Sequence, residues 1–556
     1  MKNPVIAIGL DAADPVLLEK WMSQGHLKNL RRLREQGAYT HLDTFDYYRA
    51  ETPWTTFLTG CPPQKTGYWA PVKLREGTYE VEEINAYDFQ EFAPFYALGK
   101  DYRVAVFDMP QSTLSKQVNG VQVLAWGAHS PLTPSHSQPT ELLDELINQY
   151  GEHPTLNKDN ANTLDVDALI RLKEQMEIGI KRRAEICQDL LQRENWDLFL
   201  TIFGETHSAG HYLWHLSEIA DHPLYQSVGA KYQGDPLLEI FEAIDNAIGD
   251  ILSKAPENAN VIVFAAHGMG SNVMDLPSML FLPELLYRFS LPGKFGLAKG
   301  ELGTTPKPPI TGEKAKKCWL RTVWNLKYDS NPLKMFLRAN LPLKVFNILE
   351  STVFGGRAKP DLISPFELVE QSDPQYFQPA LWYKPFWSQM KAFALPSYSE
   401  GYIRINLQGR EPNGVVAPSE YHAVCDELCE MLYRLKDART GRLMVDKIMR
   451  TRQNPTDNDP KLPDADLVII WQEDYATDVV DSPDVGRIGP VPYHRTGSHR
   501  ARGFFAAKGP DFPAGADLPV GHALDLAPTI LALMDAPIPN HCEGKPILQR
   551  AVMSAI

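Results

Sequence analysis

The chain has 556 residues, of which 44% are hydrophobic and 22% charged, so it is long enough for a large core and too apolar for a disordered protein. Its formal charge of -14 argues against a general nucleic-acid-binding protein, because neutralising phosphates requires a basic surface. Six cysteines are too few for a disulfide framework, and no apolar run is long enough to span a membrane. We expect a cytoplasmic globular protein with reduced thiols.

Strands that alternate with helices dominate the first half of the sequence. VIAIGL predicts a buried parallel strand, and two helical patterns follow it. Further strands are predicted at YRVAVFDMP, WDLFLTIFG and NANVIVFAAHG. This alternation predicts an α/β fold with a doubly wound, mostly parallel sheet flanked by helices.

The pattern changes near residue 291. Residues 291–395 are basic and interrupted by Pro and Gly, which indicates an inserted cap between two parts of the core, 1–290 and 396–556. We expect the tryptophans of the insertion to line a substrate pocket: Trp319, Trp324, Trp382 and Trp387. Peripheral contact of its run LKMFLRANLPLKVFNIL with a membrane surface is an alternative to packing on the core. The sheet pattern resumes with GYIRINLQG, PDADLVIIW and GFFAAKG.

Three polar clusters follow directly after predicted strands. Asp11 ends the first strand, the segment 205–211 follows WDLFLTIFG, and His267 follows VIVFAA. Because ligands of open α/β sheets bind at the carboxyl ends of the strands, we expect these clusters to converge on one edge.

Five histidines are candidates for metal binding. A helix would place His207 and His211 on one face, where both can reach one ion, although a polar helix surface or buried, hydrogen-bonded histidines are the alternative. His267 precedes Gly-Met-Gly, which allows the backbone to approach a ligand closely, and a simple turn is the alternative. In the loop YHRTGSHRARG, His499 and the nearby His494 are both candidates.

Charged and hydroxyl side chains offer further sites. Arg495 in the same loop either binds an anion or belongs to a solvated charged surface. Thr52 and Pro53 predict the N-cap and first residue of a short helix ending at Gly60, whose first N–H groups would face an anion. A capping role alone is the alternative for Thr52.

Eight stretches, taken in order, carry a resemblance to a known family: IGLDAADPVLLEKW, HLKNLRRLREQGA, TPWTTFLTGCPPQKTG, FGETHSAGHYLWH, VIVFAAHGMG, GYIRINLQGREPNGVV, TGSHRARGFF and HALDLAPTILALMDAPIP. Together they resemble the alkaline phosphatase superfamily. The resemblance is closest to its type I phosphodiesterase/nucleotide pyrophosphatase-like branch, the predicted phosphohydrolase/phosphomutase proteins.

The resemblance implies two metal sites around a Thr or Ser nucleophile. Asp11, His211, His267 and His499 match metal ligands of the family pattern. They are therefore expected to gather around one or two divalent cations.

Three positions depart from the family pattern. His207 and Ala266 stand where the pattern has Asp, and the nucleophile's place falls on Ala50 or Thr52, depending on the alignment. His207, His211 and His499 would form a three-imidazole site with an open position, typical of zinc that activates water or polarises a substrate oxygen. We expect one Zn²⁺ there and a doubtful second ion, with Mn²⁺ or another divalent cation as the alternative.

Thr52 or an activated water is the predicted nucleophile. Glu51 and Glu205 flank the altered positions and are candidate general acids or bases, with salt bridging to Arg49 or another basic residue as the alternative. We predict a metal-dependent hydrolase or transferase acting on a phosphate ester or a related small anion. The alternatives are non-phosphate chemistry at a single three-His site (acyl transfer, a lyase or a condensation step) and a catalytically silent metal-binding protein.

Overall fold

The structure is a computed structural model and describes residues 3–84, 86–127, 133–159, 165–218, 221–310, 318–357 and 359–548. Its strands are β1 Val5–Leu10, β2 Ala38–Asp43, β3 Val72–Leu74, β4 Val81–Glu83, β5 Gly99–Phe107, β6 Val118–Leu124, β7 His136–Gln138, β8 Leu198–Phe203, β9 Asn260–Ala265, β10 Gly268–Ser271, β11 Lys299–Gly300, β12 Ala392–Ala394, β13 Gly401–Ile405, β14 Lys436–Asp437, β15 Val445–Arg450, β16 Leu467–Trp471, β17 Val480–Ser482, β18 Gly486–Ile488, β19 Gly497–Arg500, β20 Arg502–Lys508, β21 Ala516–Asp517 and β22 Gly521–His522.

The α-helices are α1 Pro15–Ser23, α2 Lys28–Gln36, α3 Pro53–Thr59, α4 Pro63–Thr66, α5 Leu142–Tyr150, α6 Val166–Arg193, α7 Glu205–Leu213, α8 Pro236–Leu252, α9 Leu282–Ser290, α10 Trp319–Trp324, α11 Pro332–Asn340, α12 Leu343–Thr352, α13 Pro365–Glu370, α14 Tyr421–Tyr433 and α15 Leu526–Leu533. Among these residues, no helix is both long and apolar enough to cross a membrane.

The central sheet has ten strands. Nine follow the order β21-β2-β20-β9-β1-β8-β5-β6-β7, and β22 also pairs with β2. β1 pairs in parallel with both β8 and β9, and β5 continues the parallel arrangement on β8, whereas β7 and β20 run antiparallel to their neighbours. The predicted α/β fold with a mostly parallel sheet is therefore confirmed.

Both faces of the central sheet are buried, as its apolar strands predict. Ile6, Ile8 and Leu10 of β1 pack into one cluster of buried apolar side chains, while Val5 and Ala7 pack into another on the opposite face. Successive side chains of a strand point to opposite faces, so a strand covered on both sides needs a continuous apolar run. The polar residues that follow such strands are thereby confined to the ends of the sheet.

A third apolar cluster lies around a smaller antiparallel sheet with the order β12-β13-β16-β15. Within GYIRINLQG and PDADLVIIW, β13 and β16 belong to this sheet and not to the central one; only GFFAAKG contributes a central strand, β20. Trp324, Trp382 and Trp387 are buried in the third cluster and Trp319 packs against it, so their lining of a substrate pocket stays a prediction. The boundaries 290/291 and 395/396 stay a prediction.

Candidate metal centre

The carboxyl edge of the central sheet gathers the residues that sequence patterns singled out. Asp11 follows β1, His267 follows β9, and α7 begins two residues after β8 and carries His207 and His211. β19 pairs antiparallel with β10, and this register sets His499 opposite Met269, two residues from His267. Residues almost 500 positions apart in sequence therefore meet at one place.

His207, His211 and His499 form the candidate metal centre. Their ring centroids are 4.5 Å (His207 to His211), 4.9 Å (His207 to His499) and 5.0 Å (His211 to His499) apart. Each offers one ligand atom, and these atoms lie within 4.8 Å of one another. In the described part of the chain, this is the one group of three or more His, Cys, Asp or Glu residues with such spacing.

Hydrogen bonds orient the first two imidazoles. Nδ1 of His211 donates to the Gly497 carbonyl at 2.8 Å, and Nδ1 of His207 lies 3.0 Å from Oδ2 of Asp11. Nε2 is then the candidate ligand atom of each ring, because an outer hydrogen bond on one nitrogen fixes the tautomer that presents the other. Burial, Arg495 and the neighbouring histidines hold the pKa of His211 well below its usual range, which keeps this ring neutral.

Asp11 lies between two histidines. Its other oxygen, Oδ1, is 3.6 Å from Nε2 of His267, whose ring centroid is 4.9 Å from that of His499. Burial lowers the pKa of His267 to about 4, although Asp11 opposes this shift. Asp11 and His267 thus lie beside the centre, and Ala266 adds a methyl group and no ligand oxygen.

The donor set fits one divalent cation. Zn²⁺ accepts neutral imidazole nitrogens and commonly retains an open position beside three protein ligands. Three buried imidazoles with an aspartate hydrogen-bonded behind one of them match this chemistry. The same three donors would also accept other first-row divalent ions, so they do not select zinc.

Arg495 contacts one histidine of this set. Its guanidinium forms two bonds to Asp275, from Nε at 2.7 Å and Nη2 at 3.1 Å, and its Nη1 lies 3.0 Å from Nε2 of His211. The sequence allowed either anion binding or a solvated surface position for Arg495. In the structure its side chain is paired with Asp275 and contacts the candidate metal centre. Nearby His494 instead packs its ring on Trp319, with centroids 4.5 Å apart.

A sequence model of the type I phosphodiesterase/nucleotide pyrophosphatase family matches residues 5–288, more than half of the chain. The chain belongs to this family. The matched region includes Asp11, His207, His211 and His267 but ends before His499.

Several solved structures resemble this family member at low sequence identity. Phosphonoacetate hydrolase from Sinorhizobium meliloti 1021, in complex with phosphonoformate, is 13% identical with a TM-score of 0.47 and covers 96% of both chains. Murine ectonucleotide pyrophosphatase/phosphodiesterase 5 is 10% identical with a TM-score of 0.48, and covers 98% of both chains. The human counterpart is 12% identical with a TM-score of 0.48, covering 97% of this chain and 96% of its own. No curated protein matches the sequence.

Thr52 precedes α3, the helix predicted from Pro53 to Gly60. Its hydroxyl donates to the Tyr48 carbonyl at 2.9 Å and does not cap the helix. The side chain is only 2% exposed. Trp54, on the first turn of α3, lies near the centre, with its ring centroid 6.5 Å from that of His267. The role of Thr52 as nucleophile stays a prediction.

Glu51 belongs to a buried carboxyl pair. Oε2 lies 2.7 Å from the Ser399 hydroxyl, which is itself 2.5 Å from Oε2 of Glu400, while the Tyr402 hydroxyl donates to Oε1 at 3.0 Å. Burial and the Glu400 charge raise the pKa of Glu51 to about 7. Arg49 binds Glu400 at 2.6 Å, so the salt bridge expected for Arg49 goes to a partner 351 positions away. No sequence pattern signals this pairing.

Glu205 begins α7 but faces a different set of charges. Its Oε1 accepts hydrogen bonds from Nε2 of His153 at 2.9 Å and Nε of Arg183 at 3.2 Å, and Arg183 also binds Asp108 at 2.7 Å. Burial would raise its pKa, but Arg183 and His153 lower it to about 2. Glu205 is thus an ionised member of a buried salt-bridge network, and its catalytic role stays a prediction.

Proposed function

We propose that this family member is a divalent-metal-dependent hydrolase or transferase that acts on a phosphate ester or a related small anion. The observation that carries this proposal is the convergence of His207, His211 and His499 beside the guanidinium of Arg495. A cation held by three neutral imidazoles keeps its full positive charge, because none of these ligands is anionic. Together with Arg495, it would favour a substrate that carries negative charge.

The side chains around the centre have separable tasks. His207, held by Asp11, and His211, held by Gly497, present Nε2 as ligand atoms. A bound divalent ion would polarise a phosphoryl oxygen and lower the pKa of a water. Of the five N–H groups of Arg495, three face Asp275 and His211, so two others are available to a phosphoryl oxygen.

We retain Thr52 as the proposed nucleophile. Its hydroxyl must then leave the Tyr48 carbonyl and give up its proton as its oxygen bonds to phosphorus. The ester P–O bond breaks, the leaving oxygen takes up a proton and departs as an alcohol, and water or an acceptor alcohol then displaces the phosphoryl group from Thr52. Glu51, with its pKa near 7, is the proposed proton acceptor because it neighbours Thr52 in sequence and Glu400 already makes it a stronger base. Metal identity, with Zn²⁺ first and Mn²⁺ second, belongs to the same proposal.

Non-phosphate chemistry at the single three-His centre is the second candidate. It is favoured by the hydrogen-bonded, nearly inaccessible Thr52 hydroxyl and by Ala266, which supplies no ligand for a second ion. Metal analysis of purified protein, followed by assays with bis(p-nitrophenyl) phosphate and p-nitrophenyl phosphate, separates the candidates. We expect about one ion per chain and ester turnover that chelation abolishes and metal restores. A metal-loaded protein that cleaves neither ester would contradict the first candidate and favour the second.

A further inference from the structure

Helices α11 and α12 expose large apolar side chains. Leu333 and Phe336 on α11 are 57% and 63% exposed, and Val345 and Ile348 on α12 are 44% and 63% exposed. The members of each pair are three positions apart, so each pair forms a stripe along one face of its helix. Val353, directly after α12, is 67% exposed and extends this apolar surface.

The opposite faces of the two helices bury charge. Lys334 binds Asp329 at 3.1 Å and Glu350 at 2.9 Å, and Arg338 binds Asp329 at 3.1 Å. Arg338 is almost fully buried and also donates to the Lys327 carbonyl at 2.8 Å. A helix on the surface of a protein in water normally buries its apolar stripe and exposes its charges. In α11 this polarity is inverted, since its buried residues are Lys334 and Arg338, whereas α12 buries Phe346 together with Glu350.

The chain around these helices is strongly basic. Residues 291–359 contain thirteen Lys and Arg against four Asp and Glu, a formal charge of +9 in a chain whose total is -14. Several of these lysines are exposed, including Lys344 on α12. Exposed apolar side chains beside Lys344, in a segment with net positive charge, match the interface of an anionic lipid bilayer, which attracts basic residues and accepts apolar ones at the level of its headgroups.

We propose that α11 and α12 dock the protein on an anionic lipid surface. Phe336 and Ile348 would enter the headgroup region, while the exposed Lys344 would contact lipid phosphates. A second copy of the chain fits this surface less well, because a two-fold symmetric interface would bring two segments of charge +9 together.

Helix α10 joins this surface to the neighbourhood of the candidate metal centre. Arg321 of α10 donates to the carbonyls of Arg338 at 3.1 Å and Leu341 at 2.8 Å, at the end of α11. Trp319 of the same helix donates to the Pro492 carbonyl at 2.8 Å and packs on His494, the residue before Arg495. In a docked protein, α10 would therefore connect the lipid-bound helices to the segment that carries Arg495.

Co-sedimentation with lipid vesicles tests the proposal on the full chain. We expect the protein to bind vesicles of mixed phosphatidylcholine and phosphatidylserine, and to bind vesicles of pure phosphatidylcholine more weakly. Added salt should dissociate the protein from the mixed vesicles, because it screens the charges. The double variant Phe336→Ser/Ile348→Ser should lower the partition coefficient roughly tenfold or more. The matched control Leu443→Ser/Val520→Ser removes side chains that are 52% and 55% exposed elsewhere and should bind like the wild type.

A second variant and two further measurements complete the test. Val345→Ser/Val353→Ser should also reduce binding, and the thermal unfolding midpoints of all variants should equal that of the wild type, because every replaced side chain is exposed. The proposal would be overturned if the wild-type protein does not bind anionic vesicles, or if the two α11/α12 variants bind them as tightly as the wild type. A dimer in sedimentation equilibrium that Phe336→Ser/Ile348→Ser dissociates, without vesicle binding, would identify an interface between copies instead. None of these readouts depends on ester turnover.

Discussion

Nη1 of Arg495 lies 3.0 Å from Nε2 of His211, so this guanidinium contacts the lone pair of a candidate metal ligand. Nδ1 of His211 already bonds the Gly497 carbonyl, and Nε2 is therefore the nitrogen that a cation would use. One lone pair cannot accept an N–H group and a metal ion at once. Metal binding must displace this contact, while the two bonds to Asp275 can keep the guanidinium in place.

Replacing Arg495 by Gln should therefore strengthen metal binding. The variant removes a positive charge and a competitor for Nε2 of His211, and we expect the Kd for Zn²⁺ to fall about tenfold, or ~1.4 kcal/mol. Isothermal titration calorimetry of the metal-free protein measures this directly. Arg439→Gln is the matched control, since Arg439 binds Asp478 through two bonds of 2.6 and 2.8 Å. Equal affinities in the two variants would contradict the competition.

Removing one imidazole of the centre should weaken metal binding far more. We expect His211→Ala and His499→Ala each to raise the Kd for Zn²⁺ about 100-fold or more, because each supplies one of three ligands. Asp11→Asn should raise it by about 10-fold to 100-fold through the lost support of His207. The exposed His422 provides the control His422→Ala. Unchanged metal content in either of the first two variants would exclude the three-His site.

Thr52→Ala tests the nucleophile. If the Thr52 hydroxyl attacks the substrate, turnover of the chromogenic diester should fall about a thousandfold or more while metal content stays unchanged. Thr55→Ala is the matched control, because Thr55 is a similarly buried threonine in the first turn of α3, three residues after Thr52. Turnover that survives Thr52→Ala would remove Thr52 from the mechanism and leave the non-phosphate alternative stronger.

The strands that carry the site residues could be predicted from the sequence, whereas the partners that surround Glu51 could not. The strands before Asp11, His207 and His267 are continuous apolar runs, and a parallel sheet brings their carboxyl ends together, so periodicity was sufficient to place these residues on one edge. Two partners of Glu51, Ser399 and Tyr402, lie about 350 residues away, just before β13 and within it, and no rule of sequence spacing predicts these contacts. The sheet that a strand joins depends on long-range pairing, and a short apolar run such as LVIIW does not indicate its pairing partner.

Glu205→Gln should destabilise the protein. The pKa of Glu205 is lowered from 4.5 to about 2, so its charge stabilises the fold above pH 4.5 and this contribution disappears as the pH falls towards 2. We expect the free energy of unfolding at pH 7 to fall by roughly 3 kcal/mol, measured by urea denaturation, with a smaller loss at pH 3. Exposed Glu35→Gln should change little. Normal stability with abolished turnover would instead support a catalytic role.

Glu51→Gln should have the opposite dependence on pH. The pKa of Glu51 is raised from 4.5 to about 7, so the protonated carboxyl stabilises the fold below pH 4.5 and this stability is lost as the pH rises through 7. The variant, which cannot ionise, should therefore gain free energy of unfolding relative to the wild type between pH 5 and pH 8. The gain has an upper bound of roughly 3 kcal/mol. A difference that stays constant over this range would show that Glu51 does not titrate there.

Because β19 pairs with β10, the candidate centre can form only after residue 499 has been synthesised. His207 and His211 leave the ribosome almost 300 residues before His499, and the third imidazole reaches them only when β19 folds back on β10. A nascent chain can thus offer a cation two imidazoles but not three. Because ligation and folding are coupled, a cation bound at this centre would gain its full coordination energy only after β19 has paired with β10.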